Sequence, residues 1–377
     1  MWRRKTSSLE EQPHIVRLSA QPRGFRRKGW HHLRHLLAPL ALTLCGSATL
    51  TQDRPTATTP VNSEQFISET HNRVVFDKEA FSFGPVPYWS EGYLISIKTE
   101  SFSPGTINAR LFGRDGSKSA EVAFWFPGSE RVGVTSAAVT PDGGIVGSGE
   151  ADKADGTRAS FIALANFKGQ VTNVIQTGDF YPRNICVAPD GSIWAFGGMM
   201  WSATKSEPFQ DNVLRRFDFR RGELASHIPE STFPKNLSMQ PDALSFIRCS
   251  ADKVVVYSTP ASLLIELPYK DDTPRIYNVS VPQGLRVRSL AVTHSGAIYG
   301  SLLDRKVDSG KGGMYSLVLD EASRSAFWHP VNGAVGRWTD QGIVFRVLGA
   351  DGENLVVNRA GDPVEHMALH WMTASRR

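Results

Sequence analysis

The stretch Arg183-Asn184-Ile185-Cys186-Val187-Ala188-Pro189-Asp190-Gly191-Ser192-Ile193-Trp194-Ala195-Phe196 constrains this chain more than any other. Two runs of β-forming residues flank Pro-Asp-Gly-Ser, where Asp and Gly supply the left-handed backbone that a tight hairpin turn needs. The pattern recurs. Aligned on the residue after the turn acid, its copies fall at Glu91, Gly143, Gly191, Asp252, Gly296 and Gln341, in steps of 52, 48, 61, 44 and 45 residues. The long step contains an insertion, Met199 to Asn212. Each unit continues into a second hairpin, as in Ser160 to Ile175, Val213 to Ile228, and Gly313 onward.

A period of roughly 40 to 50 residues built from four short strands is what propeller blades show. A four-stranded sheet with two apolar faces is unstable alone, so such units stack radially and close a ring that protects their edges. The expected fold is therefore all-β, a β-propeller of six four-stranded blades between about residues 81 and 370. A seventh blade would need strands from Val61 to Ala80, and His71-Asn-Arg-Val-Val-Phe-Asp offers one. Asn354 to Arg359 and Val364 to Leu369 read as the outer half of the sixth blade, and Lys253 falls in the turn of the fourth. The Pro-Asp-Gly-x-Ile pattern at Thr140 to Ile145 and Pro189 to Ile193 resembles the six-bladed propellers of the NHL-repeat, TolB-like and gluconolactonase-type superfamilies. The resemblance covers nearly all of the chain after the linker and is one of fold.

Charge locates a leader. Residues 1–48 hold nine Lys or Arg against Glu10 and Glu11, so this segment carries +7 of a chain whose total is +5, and the remainder is slightly acidic at −2. A basic stretch, the apolar run Leu36 to Leu44 and the small residues Gly46-Ser47-Ala48 read as a signal peptide or N-terminal anchor. The run of about nine apolar residues, interrupted by Pro39, is far short of the roughly 20 that span a bilayer. Leu42-Thr43-Leu44-Cys45-Gly46 resembles a lipoprotein box, which would make Cys45 a membrane anchor, although Leu44 departs from the small residue expected there. Residues 49–62 have Thr/Pro-rich linker composition, and 63–377 form the propeller domain. The localisation that follows is secreted or periplasmic. The acidic remainder lacks the basic face that nucleic acid requires, which removes nucleic acid as a partner.

Propellers host many unrelated functions. The resemblance to gluconolactonase-type enzymes implies a divalent metal such as calcium at the channel mouth, held by oxygen ligands. Only Glu91 and Asn184 match such ligands, and the acidic partner is missing. The inner strands instead supply cations and aromatics: Arg183, Asn184, Arg288, Arg337, Trp338, Tyr88 and Trp89. Guanidinium groups and aromatic faces at one rim suit an anionic small-molecule or protein partner. The competing reading makes them packing residues or partners of nearby acids. Long loops at Glu150 to Arg158, Met199 to Asn212 and Leu303 to Gly312 share that face. No nucleophile elbow, metalloprotease helix, P-loop or dinucleotide fingerprint is present. Cys186 and Cys249, on neighbouring inner strands, read as buried free thiols. The expected function is an exported binding module without a cofactor, and the alternative is a metal-dependent, lactonase-like hydrolase.

Overall fold

Short runs of β-branched and aromatic residues, punctuated by Asp-Gly, Gly and Asn, favour extended strands joined by tight hairpins. The computed structural model describes residues 65–69, 73–84, 87–199, 212–233, 245–304, 311–337, 344–360 and 368–376. The expected leader, the linker and Cys45 lie outside the described residues. Two short strands, β1 (Gln65–Glu69) and β2 (Val74–Val75), precede a single helical turn, α1 (Glu79–Ser82). Among the described residues no helix is long and apolar enough to cross a membrane.

The first sheet comprises β3 (Tyr88–Ser90), β4 (Tyr93–Ile97), β6 (Ala109–Phe112) and β7 (Lys118–Val122), with β5 (Ser101–Phe102) in the β4–β6 connection. The second is β8 (Ser129–Val139), β9 (Ile145–Lys153), β10 (Arg158–Ala165) and β11 (Val171–Gln176). The third is β12 (Phe180–Val187), β13 (Ile193–Met199), β14 (Asn212–Asp218) and β15 (Gly222–Pro229). The fourth is β16 (Ser245–Cys249), β17 (Lys253–Ser258), β18 (Leu263–Pro268) and β19 (Arg275–Ser280). The fifth is β20 (Leu285–Val292), β21 (Ile298–Asp304), β22 (Lys311–Asp320) and β23 (Ser325–Arg337). The sixth joins β24 (Val344–Asp351), β25 (Asn354–Ala360) and β26 (Ala368–Arg376) to β1, which pairs antiparallel with β26 from Gln65↔Arg376 to Glu69↔Met372.

Packing closes these sets into a propeller. One apolar cluster fills each junction between neighbouring sheets. The closing junction puts Trp89, Leu94 and Phe112 of the first sheet against Leu348, Val356, Leu369 and Trp371 of the sixth. Inner strands β8, β12, β16, β20, β24 and β3 meet in turn around the axis. The segment that a seventh blade would need gives β1 and β2, both of which pair with β26.

The turn at Gly191 forms as read, with φ +80° and Asp190 Oδ1 accepting from the Ser192 N–H at 2.9 Å. Two other expectations are corrected. The sixth inner strand is β24, whose turn lies between Asp351 and Asn354, eleven residues beyond the expected one. Arg337 is therefore not on an inner strand: it ends β23 opposite Lys311. This outer strand is long because it pairs laterally with both β19, at Asn278↔Ser325, and β1, at Phe66↔Asn332. The expected outer half of the last sheet is likewise its second and third strands, since β1 fills the outermost place.

Lys253 is not a free turn residue. It opens β17, and its Nζ lies 2.5 Å from Oε1 of Glu266, whose side chain is 3% exposed. Breaking a buried pair from one side leaves the other charge without compensation. Lys253→Met should lower unfolding free energy at pH 7 by about 3 to 5 kcal/mol, read from urea titration, and adding Glu266→Gln should recover most of the loss.

Candidate functional site

The inner strand of each sheet turns one backbone edge towards the axis, and side chains from the neighbouring sheet meet it. Tyr88 Oη accepts from the Ala137 N–H at 2.7 Å and donates to the Ala137 carbonyl, joining sheets one and two. Ser136 Oγ accepts from the Ile185 N–H at 3.1 Å, joining two and three. A disulfide between Cys186 and Cys249 joins three and four. This corrects the expectation of free thiols, because the twist of adjacent blades brings the two Cα atoms within 5.6 Å. Arg248 Nε donates to the Leu290 carbonyl at 2.9 Å, and Ser301 Oγ accepts from the Val347 N–H at 2.6 Å. At the closing junction a Cβ on Gly349 would sit 2.6 Å from the Trp89 carbonyl oxygen, so only glycine allows that approach.

Partway along their length, short of the turn end, four inner strands break register at equivalent places: Val134/Ser136, Pro182/Asn184, Val287/Ser289 and Val347/Gly349. The extra residues are Thr135, Arg183, Arg288 and Leu348. A bulge re-aims the side chain it carries, and two of the four carry guanidinium groups. Arg183 lies over the Tyr181 ring at 5.6 Å, and burial lowers its pKa, opposed by Tyr181 and Glu230. Burial and then the Glu150 charge push the Tyr181 hydroxyl up to about 12. Arg288 is lowered by burial and then by the like charges of Arg286 and Arg346, while burial alone lowers Arg346. Nε of Arg183, Arg286 and Arg288 is enclosed with no hydrogen-bond partner. Among the described residues none of these four arginines has a carboxylate within ion-pair distance. Beside them, β5 adds to the edge of β8 opposite β9, at Ser101↔Gly133 and Phe102↔Val132.

The turn end differs. Tyr88, Glu91, Cys186, Arg248 and Cys249 line a cavity of about 60 Å³. Glu91 is exposed in the β3–β4 turn at φ 44°, and its pKa is raised by burial of the carboxyl and by Asp351, opposed by His294.

The sequence-predicted residues thus divide. Arg183, Asn184 and Arg288 lie at or beside the mid-strand bulges, on the strand-start side of the turn-end cavity. Tyr88 stands towards the turn end with its hydroxyl engaged by Ala137. Trp89 is closing-junction core, 3% exposed and edge-on to Trp371 at 5.3 Å, which returns it to packing. Trp338 and the Arg337 side chain lie outside the described residues. Glu91 and Asn184 do not share a cavity: Glu91 lines the one at the turn end and Asn184 does not, lying roughly 10 Å of strand before the end of β12. Among the described residues no three His, Cys, Asp or Glu are grouped to hold a metal. The Glu150 to Arg158 segment is a continued hairpin, with Arg158 paired to Asp152 at 2.8 Å and to Glu150 at 3.3 Å. Sequence reasoning missed Arg286 and Arg346. Arg286, two residues before Arg288, was open to it; Arg346 was hidden by the misplaced sixth turn.

No protein-family model and no curated protein matches the chain. Among solved structures it is similar to a gluconolactonase from Xanthomonas campestris, at 14% identity over 82% of this chain and 99% of that one, with a TM-score of 0.38. It is also similar to the PQQ-bound aldose sugar dehydrogenase of Streptomyces coelicolor (9%, 83% and 99%, 0.41) and to the apo soluble aldose sugar dehydrogenase of Escherichia coli (12%, 81% and 99%, 0.40). At these values none bears on what this chain binds, and the architecture rests on its own strand pairing.

The disulfide closes a loop with a sequence separation of 63. In the chain-entropy model such a closure stabilises by about 4 kcal/mol. Reduction, or the pair Cys186→Ala and Cys249→Ala, should lower the urea midpoint by the corresponding amount, and an unchanged midpoint would show that the bond constrains nothing.

Proposed function

We propose that the protein is an exported binding module whose β-propeller holds an anionic ligand at the strand-start mouth. Arg183 and Arg288 make the first contacts, with Arg286 and Arg346 adding to the field around Arg288. The observation that carries this reading is the pair of equivalent bulges, which place unpaired guanidinium groups on two inner strands of one ring. Cations partly out of water, with no carboxylate within ion-pair distance among the described residues, are unfavourable unless a ligand answers them. Such a field also concentrates anions before contact. Export is supported by the leader composition and by the disulfide, which persists in oxidising compartments. The ligand class is a small molecule bearing carboxylate or phosphate, or an acidic segment of a partner protein.

Titration calorimetry on the full-length protein with inorganic phosphate, citrate and a uronic acid tests this reading. Arg183→Ala and Arg288→Ala should each weaken the bound ligand by about 1.5 to 3 kcal/mol, the range for a charge-assisted contact, without lowering the unfolding temperature. A ligand held equally by both variants would place binding elsewhere.

A further inference from the structure

The opposite end of the ring carries a second cation, in a setting the strand-start mouth does not share. Arg248, on β16, reaches into the turn-end cavity beside Tyr88, Ala137, Cys186 and Val292. At about 60 Å³ the cavity has room for a few water-sized groups. That is far below the roughly 300 to 1,000 Å³ of pockets that enclose larger organic ligands.

Two backbone carbonyls hold the guanidinium in place. Arg248 Nε donates to Leu290 O at 2.9 Å and Nη1 to Ile247 O at 2.8 Å. A guanidinium has five N–H donors, so three remain without a protein partner among the described residues. Nη2, which has no protein partner, is not among the enclosed unpartnered atoms, so its two donors stay accessible beside the cavity that Arg248 lines.

Among the described residues no carboxylate lies within ion-pair distance of Arg248. The Arg248 guanidinium carbon lies 5.8 Å from the Tyr88 ring centroid, and burial pushes that hydroxyl up to about 12, so the ring is neutral across the working pH range. Burial lowers the Arg248 pKa, and Tyr88 is the one group that opposes the shift. Glu91, the one acid lining the cavity, is exposed and interacts with Asp351 and His294 instead. A half-buried cation with free donors and no counter-charge within ion-pair distance is costly in proportion to its desolvation. The same charge repels a divalent cation from this part of the channel.

We propose that the turn-end cavity is a site for a small monovalent anion, of the size of chloride, nitrate or formate, held by the free Nη donors of Arg248. Because Arg248 already ties β16 to β20, the bound anion neutralises the one charged link among the side chains joining neighbouring inner strands, and its binding energy adds to the stability of the closed ring. Ligand size separates this site from the strand-start mouth, and no arginine is shared between them.

Thermal unfolding of the full-length protein in sodium gluconate, chloride, bromide, nitrate and formate at one fixed ionic strength provides the test. Gluconate is too large for the cavity and sets the baseline. The small anions should raise the unfolding temperature saturably, equivalent to an approximately 100-fold shift in the folding equilibrium at 100 times Kd. Arg248→Met should abolish the difference between salts. Should that variant fail to fold, wild-type crystals grown in sodium bromide give the same answer: an anomalous peak is expected within hydrogen-bond distance of Arg248 Nη2, lost on exchange into formate. Equal stability in all five salts, or a bromide crystal with only water beside Arg248, overturns the proposal.

Discussion

A ring of radial sheets leaves one unpaired backbone edge per sheet, the inner edge, because no further strand fits along the axis. Backbone N–H and C=O groups buried without partners cost about as much as a lost hydrogen bond. Side chains that hydrogen-bond across the junctions answer this constraint, from Tyr88 at Ala137 to Ser301 at Val347. Each link reaches from one sheet to the next, so the groups that satisfy the edge also hold the ring closed. The last junction uses shape instead, with Gly349 against the Trp89 carbonyl.

This constraint shapes the charge inside the ring. Arg248 satisfies a neighbouring carbonyl with its Nε and thereby brings to the axis a guanidinium with no carboxylate within ion-pair distance among the described residues. Partway along β12 and β20 the bulges do something similar with Arg183 and Arg288, where the extra residue leaves the ladder and its side chain is re-aimed. Unpaired guanidinium groups of one sign therefore lie both at the mid-strand bulges and beside the turn-end cavity.

The outer edges are treated differently around the ring. In the fourth to sixth sheets β23 pairs in parallel with both β19 and β1, so adjacent sheets share backbone hydrogen bonds. The outermost strands β7, β11 and β15 have no such partner among the described residues. β11 is largely exposed, with Val174 at 44%, and the Lys118–Glu121 pair on β7 supplies the charge that discourages edge pairing.

The sequence by itself determined what is local. Asp-Gly and Ser-Gly turns impose hairpins because few other residues accept the left-handed backbone, and their spacing imposed a ring of four-stranded units. It also marked Arg183 and Arg288, whose distance from their turns is a matter of counting. Tertiary structure decided whatever depends on pairing across long separations. Only closure could make β1 the outer strand of the last sheet, since its partner lies some 300 residues away and nothing in its own composition names it. The same closure moved the sixth turn to Gly352, took Arg337 out of the site and brought in Arg346. The Cys186–Cys249 bond, the burial of Trp89 and the isolation of Arg248 follow from how far one blade is rotated against the next. That angle is set by the packing of all the junctions together, so no single stretch of sequence contains it.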